Sequence, residues 1–593
     1  MRFSPFAESI PENNAELLPE NMAVNGPGPG PDRLEKIMFV SFAALLVAPL
    51  LSICRSLDNN ALTSWNWILP GTDAGTLYLF IMLGIALSYA LSRSGILEHA
   101  PEIILPILAF VAVLPLWREP EVILDAGRYV LQAKHLELYG ISSFLREWGV
   151  GVSAWTDLPV VPFLFGLIFR FLGESRLYIQ AFTSLLFALT ALLTYRIGRD
   201  LWGRDIGVAA GMLLLGSPYL LTQVPLMLVD VPTMFFLALS VHLFLSALGR
   251  GGVFRILSAS VALFLTLFSK YSVLLILPVF LIIPFVRARS GAGPAAARGA
   301  AILACAGLLC AAALLLKYNI IMDQVQILRT FQRQGLTRWQ EGIASTFLFQ
   351  THPFITLGAC GGVAAAIRNR DARFLIPGWF AFFVVFLHHE RIRYLLPLFP
   401  LFTLMAGYGL QSVRDRGVRS FILWCAVTSS LVIAVGAYVP FLERMSMANL
   451  RNAGRYLDTL ESPAVEVFVL PQTRSDGNTE MAIPLLDLYT NKRIIYHERK
   501  QEASGLGLQG RMQSSLRFSW EIRLPEFYTG HEAAACLPAV LISSMPDTAA
   551  HPNALYPDAG MKALKRFEST TGVFKYKTFV SVYNRDCLAE TGQ

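Results

Sequence analysis

Long runs of apolar residues with almost no charge are the feature that most restricts how this chain folds. Several windows of about 17–20 residues hold hardly any charged side chain, and a helix of that length crosses the hydrocarbon core of a bilayer. Charged residues make up 15% of the chain and hydrophobic residues 54%, whereas a soluble globular protein carries about 25% charged residues. We therefore interpret the chain as a polytopic membrane protein.

Thirteen apolar segments are predicted to be transmembrane helices. They are residues 37–54, 75–92, 102–117, 178–197, 206–222, 231–249, 254–270, 272–287, 299–316, 343–367, 374–388, 394–412 and 420–440. Segment 159–172 is also apolar, but it is shorter and follows a polar stretch, so we expect a helix that lies at the membrane surface. The expected fold class is a mainly α membrane protein with about 11–13 transmembrane helices.

Arginines are concentrated in alternate loops between these segments. The arginine-rich loops carry Arg196, Arg199 and Arg204; Arg250 and Arg255; Arg287, Arg289 and Arg298; Arg368, Arg370 and Arg373; and Arg414, Arg416 and Arg419. Short cytoplasmic loops are enriched in Lys and Arg, which places the N-terminus in the cytoplasm. The net charge of +7 follows from these loops, so we infer no nucleic-acid binding from it. Loop 118–177, loop 317–342 and everything after about residue 440 are then expected on the outer, periplasmic face of an inner membrane.

The chain divides into three predicted parts. Residues 1–36 are rich in Pro, Asn and Glu and are expected to form a disordered cytoplasmic tail, residues 37–440 a transmembrane domain, and residues 441–593 a periplasmic α/β domain. Strands of that last domain are predicted at Val465–Leu470, Arg493–His497, Ala539–Ser543 and Phe579–Tyr583. Cys536 and Cys587 lie in the same domain, either as a disulfide in an oxidising compartment or as two unpaired thiols.

Two aspartates stand at predicted outer ends of membrane segments, where an acid close to hydrocarbon requires an explanation. Asp125 follows the third span, and its carboxylate is either a general base for an acceptor hydroxyl or amine or the N-cap of a helix. Asp230 lies between two spans among apolar neighbours. It is either a solvated loop acid or a buried carboxylate beside a cation or a metal ion.

Cationic residues occur at two further places on the same predicted face. Lys270 lies at the turn between two spans, where it either extends to the lipid headgroups or has a specific partner. His388, His389, Arg391 and Arg393 form a cluster at the outer end of another span. The planar fork of arginine binds a phosphate through two parallel hydrogen bonds. The alternative for this cluster is contact with anionic lipid headgroups.

These residues follow one another in a recognisable order together with several short motifs. The motifs are Asp157-Leu-Pro159, Arg196-Ile-Gly-Arg199, Asp230-Val-Pro232, Ser269-Lys270-Tyr271 and Arg391-Ile-Arg393-Tyr394. In this order the chain resembles the GT-C superfamily of membrane glycosyltransferases over roughly residues 100–440. It is most similar to the dolichyl-phosphate-mannose-protein mannosyltransferase group, which includes the bacterial aminoarabinose transferases of lipid A.

The resemblance implies a GT-C-like helical bundle, a polyprenyl-phosphate-linked sugar as the donor, and a role for each candidate residue. Asp125 would serve as the catalytic base or orient the acceptor, and Asp230 would lie near the sugar or a divalent cation. The residues implied to hold the lipid phosphate are Lys270, Arg391, Arg393 and Tyr394.

One position departs from the family pattern. Many members carry two adjacent acids, Asp-Glu, at the first site, and here Ala126 replaces the second acid. Binding of a divalent cation through such a pair is therefore in question for this chain. Glu121 is the nearby acid that would have to substitute for it.

The sequence thus predicts an integral membrane hexosyl- or pentosyltransferase. It would move one sugar, with inversion at the anomeric carbon, to a lipid, glycan or protein acceptor at the periplasmic face. The alternatives are a polytopic transporter or flippase of a lipid-linked or anionic substrate, and a membrane-anchored receptor or assembly protein. An enzyme requires the charged residues around one outward-facing cavity, whereas a transporter requires a path across the bilayer.

Overall fold

The fold is a helical bundle followed by a small sheet, as a computed structural model of the protein shows. It describes residues 31–56, 72–288, 294–332, 343–387, 391–470, 475, 477–497, 514, 516–529, 537–544, 561–570 and 576–585. The predicted fold class is confirmed. Both cysteines of the suggested disulfide, together with His388 and His389, lie outside the described residues.

The helices are numbered here in chain order. Those of the first half are α1 Pro31–Leu45, α2 Val47–Ser56, α3 Ala74–Arg93, α4 Ile96–His99, α5 Pro101–Val113, α6 Asp125–Glu147, α7 Val160–Leu172, α8 Arg176–Trp202, α9 Arg204–Leu215, α10 Pro218–Gln223, α11 Asp230–Arg250 and α12 Val253–Leu267. Those of the second half are α13 Leu277–Ala288, α14 Pro294–Leu316, α15 Tyr318–Ile327, α16 Pro353–Asn369, α17 Leu375–Leu387, α18 Ile392–Leu395, α19 Phe399–Leu410, α20 Arg416–Ile433, α21 Val439–Arg444, α22 Met447–Leu457, α23 Ala482–Asp487 and α24 Phe518–Glu521.

Each of the thirteen predicted spans overlaps helical structure, but several spans are broken. Six stretches of the described chain are uninterrupted, long and apolar enough to cross a membrane by length and composition. They are Ala74–Arg93, Pro101–Arg118, Arg176–Trp202, Asp230–Arg250, Pro294–Leu316 and Arg416–Arg444. Proline accounts for two of the breaks, since it lacks the amide hydrogen that a continuing helix needs. Pro218 begins α10 after α9 ends, and Pro397 lies in a short 3-10 turn between α18 and α19.

One predicted boundary needs correction. The predicted disordered tail extends to residue 36, but α1 already begins at Pro31, where a proline at the first helical position and Asp32 in the first turn both favour a helix start. Residues 1–30 lie outside the described part. The apolar segment 159–172 does form a helix, α7, as expected.

A close backbone contact fixes α19, the helix that follows the cationic Arg391–Tyr394 segment. A Cβ added at Gly409 would lie 1.9 Å from the carbonyl oxygen of Gly358 in α16. No other residue type fits at such a distance, so glycine allows these two helices to pack backbone against backbone. The contact therefore fixes how closely α19 packs against α16 at the end of α19 away from Arg393.

The sheet has five strands in the order β2-β1-β3-β5-β4. The strands are β1 Ala464–Val469, β2 Arg493–Tyr496, β3 Ala539–Ser543, β4 Met561–Phe567 and β5 Phe579–Arg585. β1 pairs in parallel with β2 and β3, whereas β5 pairs antiparallel with β3 and β4. All four predicted strands are present. The fifth, β4, was missed because it is an exposed edge strand rich in lysine and arginine and has no apolar alternation.

The segments predicted on the outer face contact one another. Gln324 in α15 donates a hydrogen bond of 2.8 Å to the carbonyl oxygen of Asp157. Lys134 in α6 forms ion pairs with Asp487 in α23 and, at 2.9 Å, with Glu174. The segment between α5 and α8, helix α15 and the sheet-bearing region therefore lie together at one end of the helical bundle.

Candidate active site

Two aspartates begin helices at this end of the bundle. Asp125 is the first residue of α6 and Asp230 the first residue of α11. A carboxylate in the first turn interacts favourably with the positive end of the helix dipole. Asp125 does not act as the N-cap, since Leu124 occupies that position. Asp230 is not a solvated loop acid either, because its side chain is completely buried.

Arg393 joins the two aspartates. Its Nη1 donates a hydrogen bond to Asp125, and its Nε lies 3.3 Å from an oxygen of Asp230. The ammonium group of Lys270 donates a hydrogen bond to the other oxygen of Asp230. Four segments that are distant in sequence thus meet in one buried ionic cluster, as the pattern of the sequence required.

Tyr394 lies between two cations of the site. The ammonium nitrogen of Lys270 is 5.3 Å from the centre of its ring, and the guanidinium carbon of Arg391 is 5.1 Å from it. Both distances are in the range of cation–π attraction. The ring therefore holds two positive groups near each other, although they repel.

A cavity of about 410 Å³ connects these groups. Asp125, Lys270, Arg391, Arg393 and Tyr394 all line it. Asp230 does not line the cavity but contacts two of the cations that do, through Lys270 and Arg393. The cluster has three cations, Lys270, Arg391 and Arg393, and two acids, so it carries one positive charge in excess beside the cavity.

A second ion pair in the wall of the cavity was not among the predicted site residues. Arg128 lies one turn after Asp125 and donates a hydrogen bond of 2.8 Å to Asp157, while its Nη2 is 3.8 Å from Asp125. Gln132 also donates to Asp157, at 3.1 Å. The spacing of three residues between Asp125 and Arg128, which puts both on one helix face, was the signal in the sequence, but the partner Asp157 lies 29 residues beyond Arg128.

The environment keeps Asp125 charged. Burial would raise the pKa of its carboxyl group, but the guanidinium groups of Arg393 and Arg128 outweigh this effect and lower the pKa below the usual aspartate value. Asp125 is consequently ionised at neutral pH. A carboxylate with a lowered pKa is a weak base, so it would first orient the hydroxyl or amine of an acceptor and would take its proton only as the new bond forms.

Glu121 does not replace the acid that the family carries after Asp125. Its carboxylate accepts a hydrogen bond of 3.1 Å from Arg176 and others from the backbone amide of Met227. It is buried and is not part of the wall of the cavity. Glu121 therefore does not form, together with Asp125, a counterpart of the two adjacent acids in the family pattern.

The donor set does not fit a divalent cation. Asp125 and Asp230 are already bonded to Arg393 and Lys270, whose positive charges take the place that a metal ion would need. Among the described residues, no group of three or more His, Cys, Asp and Glu side chains is arranged to hold a metal.

The sheet-bearing region adds one apolar residue to the cavity. Phe518, the first residue of α24, lines the wall, and the guanidinium carbon of Arg128 lies 4.5 Å from the centre of its ring. Residues after the last predicted span thus line the same cavity as Asp125. This contact was not predicted, since about 390 residues separate Phe518 from Arg128 along the chain.

Comparison with known proteins finds similarity in sequence and in fold. The chain matches the family model of dolichyl-phosphate-mannose-protein mannosyltransferase over residues 157–313, a region that contains Asp230 and Lys270. Its fold is similar to that of ArnT from Cupriavidus metallidurans bound to undecaprenyl phosphate, with a TM-score of 0.52, 14% identity, and coverage of 82% of this chain and 98% of that one. Together the two matches confirm the resemblance to the GT-C superfamily and the GT-C-like fold.

Two further solved structures are more distantly similar. The apo state of the same ArnT has a TM-score of 0.48 and 14% identity, with coverage of 80% and 97%. Archaeal oligosaccharyltransferase AglB from Archaeoglobus fulgidus, in complex with an inhibitory peptide and a dolichol-phosphate, has a TM-score of 0.42 and 10% identity, with coverage of 75% and 70%. No curated protein sequence matches the chain.

Proposed function

We propose that this protein is an integral membrane glycosyltransferase that moves a hexosyl or pentosyl unit from a polyprenyl-phosphate carrier to a lipid, glycan or protein acceptor. The observation that carries the proposal is the convergence of Asp125 and the cations Lys270, Arg391 and Arg393 around one cavity. The family match over residues 157–313 and the ArnT-like fold support it. The structure of that ArnT was determined with undecaprenyl phosphate bound, which is the class of carrier proposed here.

The chemistry follows from the charges of the cavity. An oxygen or nitrogen of the acceptor forms a bond to the anomeric carbon while the bond from that carbon to the phosphate oxygen breaks, which inverts the centre. The proton of the acceptor passes to Asp125. Negative charge develops on the departing lipid phosphate, and the fixed cations Lys270 and Arg391 stabilise it. Arg393 holds Asp125 in place through its ion pair.

We place the active cavity on the periplasmic side of an inner membrane, with the N-terminus in the cytoplasm and the sheet-bearing region in the periplasm. The alternating arginine-rich loops support this orientation. The transporter alternative predicted charged groups along a path across the bilayer. The candidate residues instead meet at one end of the bundle, where α6 and α11 begin.

Product formation from a panel of lipid-linked sugars is the direct test of this function. Purified full-length protein is incubated with polyprenyl-phosphate-linked hexoses and pentoses in the presence of membrane lipids as acceptors, and released polyprenyl phosphate is measured. We expect release with one class of sugar and none with the Asp125→Asn variant. Release that is equal in both proteins would contradict the proposed site.

Arg391→Ala is expected to weaken use of the lipid donor. Loss of a charged hydrogen bond to the phosphate should raise KM for the donor about 10–100-fold, because such bonds contribute about 1.5–3 kcal/mol. KM and kcat are measured at varied donor concentration. Arg368→Ala is the matched control, since Arg368 is an exposed arginine at the last turn of α16 and does not line the cavity. An unchanged donor KM in Arg391→Ala would remove this residue from phosphate binding.

Phe518→Ala is expected to change acceptor use more than donor use. We propose that its ring forms part of the acceptor's binding surface, because it lies in the cavity wall against Arg128. The acceptor KM should rise by up to about tenfold, in line with an aromatic contact of about 0.5–1.5 kcal/mol. Phe518→Leu, which keeps an apolar side chain, separates this effect from loss of packing. Equal changes in donor and acceptor KM would argue against an acceptor role.

A further inference from the structure

A second cavity, of about 320 Å³, lies at the opposite end of the bundle from the candidate active site. α8 begins near the active site at Arg176 and ends at Trp202, and a helix of that length rises by about 40 Å. α9 begins immediately afterwards with Arg204, which lines the second cavity. Leu410, which also lines it, ends α19, the helix that starts close to Arg393. The two cavities are therefore separated by the thickness of the helical bundle.

Arginine dominates the polar part of this cavity. Its lining includes Arg204, Arg416 and Arg419 and a single acid, Asp205, so the formal charge of these four groups is three positive against one negative. Asp205 is shared between two of the arginines, at 3.3 Å from Arg419 and 3.9 Å from Arg416. One carboxylate does not neutralise two guanidinium groups, so the site stays positive. The shared carboxylate also keeps both guanidinium groups at the cavity.

The arginines differ in how firmly they are held. The side chain of Arg419 is only 14% exposed and also donates a hydrogen bond to Gln411, whereas that of Arg416 is 77% exposed. The first is an ordered anchor, and the second can move onto a ligand. α9 also begins at this cavity, and its positive dipole end adds to the attraction for an anion, whereas the first amides of α20 are capped by the carboxylate of Asp415.

Apart from the neutral polar side chains of Gln411 and Ser420, the remaining lining of the cavity is apolar. Leu97, Val208, Ala209, Leu410 and Leu423 line it, and they come from α4, α9, α19 and α20. A cavity for inorganic phosphate alone has no need of such walls. A charged rim above apolar walls, between helices that span a membrane, matches a phospholipid whose headgroup is anionic and whose acyl chains lie along the helices.

We propose that this cavity binds the anionic phosphate headgroup of a membrane phospholipid, with Arg204, Arg416 and Arg419 as the headgroup site. The site is distinct from the cavity in which sugar transfer is proposed, and it lies on the face that the arginine-rich loops place in the cytoplasm. Bound lipid would contact both α9 and α20, two helices that pack against each other and are joined by the ion pair of Asp205 with Arg419.

Lipid binding to the purified full-length protein is the test. Native mass spectrometry measures the affinity for short-chain phosphatidylglycerol, for phosphatidylcholine of the same chain length and for inorganic phosphate. We expect phosphatidylglycerol to bind most tightly, and Arg416→Gln to weaken it about tenfold, since one charged hydrogen-bonding group is lost. Because Arg416 is largely exposed, this variant is expected to fold and to retain basal glycosyl transfer.

Arg414→Gln is the matched control. Arg414 is an exposed arginine in the same loop, two residues before Arg416, and it does not line the cavity. If Arg414→Gln and Arg416→Gln weaken phosphatidylglycerol binding equally, the arginines act only as a diffuse positive surface and the proposal is wrong. Equally tight binding of phosphatidylcholine and phosphatidylglycerol would also overturn the proposal, because the site would then bind lipid without selecting for charge. Equally tight binding of inorganic phosphate would overturn it as well, because the site would then bind phosphate without its lipid.

Discussion

Asp125→Asn is expected to reduce sugar transfer by about 10²–10⁴-fold, the range in which a positioned general base contributes. The amide keeps the shape of the side chain but has neither the negative charge nor the capacity to accept the acceptor's proton. Its oxygen still accepts a hydrogen bond from Arg393, so the helix start at α6 is preserved. The measurement is the initial rate of polyprenyl-phosphate release at saturating donor, together with the apparent unfolding temperature in detergent.

The control for this variant is Asp323→Asn. Asp323 is an exposed acid in α15 at the same end of the bundle and does not line the cavity. Donor binding should remain in Asp125→Asn, because Lys270 and Arg391 are untouched. Full activity in a correctly folded Asp125→Asn protein would exclude Asp125 from the reaction. Only the assignment of the membrane fold would then remain.

Arg393→Ala is expected to have the largest combined effect on activity and stability. Arg393 is the only residue of the described cluster that bonds to both Asp125 and Asp230, so its removal leaves one buried carboxylate facing Arg128 at 3.8 Å and the other with Lys270 alone. Breaking a buried ion pair by removing one partner costs about 3–5 kcal/mol. Transfer should fall to background, because Asp125 loses the group that fixes its orientation.

Arg393→Lys separates the two effects. A lysine retains the charge but has no planar fork, so it can bond to one carboxylate at a time. We expect most of the stability to return while the transfer rate stays low. The exposed Arg523→Ala serves as a control for removal of an arginine near the same face. If Arg393→Ala unfolded at the same temperature as the unaltered protein and transferred sugar normally, the ionic cluster would have neither the structural nor the functional role proposed here.

Much of the site was predictable because its charged residues occur at positions where a membrane protein normally has none. Asp125, Asp230, Lys270 and Arg393 are charged at places where hydrocarbon or the positive-inside preference disfavours charge, and such residues need a partner. Their order along the chain then suggested that they are partners of one another. The structure brings these four together, and Arg391 lines the same cavity.

The parts that could not be predicted depend on contacts between distant segments. The bond between Arg128 and Asp157 requires knowledge of how the loop after α6 returns to that helix. Phe518 enters the cavity from a short helix beyond β2, in a region whose local sequence has no distinguishing pattern. The breaks in the predicted spans are local effects of residues such as Pro218, but apolar composition alone does not register them.

The ion pairs of Lys134 and the position of Phe518 have a consequence for how such a protein can be modified. The sheet-bearing region supplies part of the cavity wall, and an ion pair between Asp487 and Lys134 joins it to α6, the helix that bears Asp125. The two parts are therefore not interchangeable modules. A chimaera that received the terminal sheet-bearing region of a relative would also receive a different cavity wall. Its acceptor specificity would then change, even with every charged residue of the active site left in place.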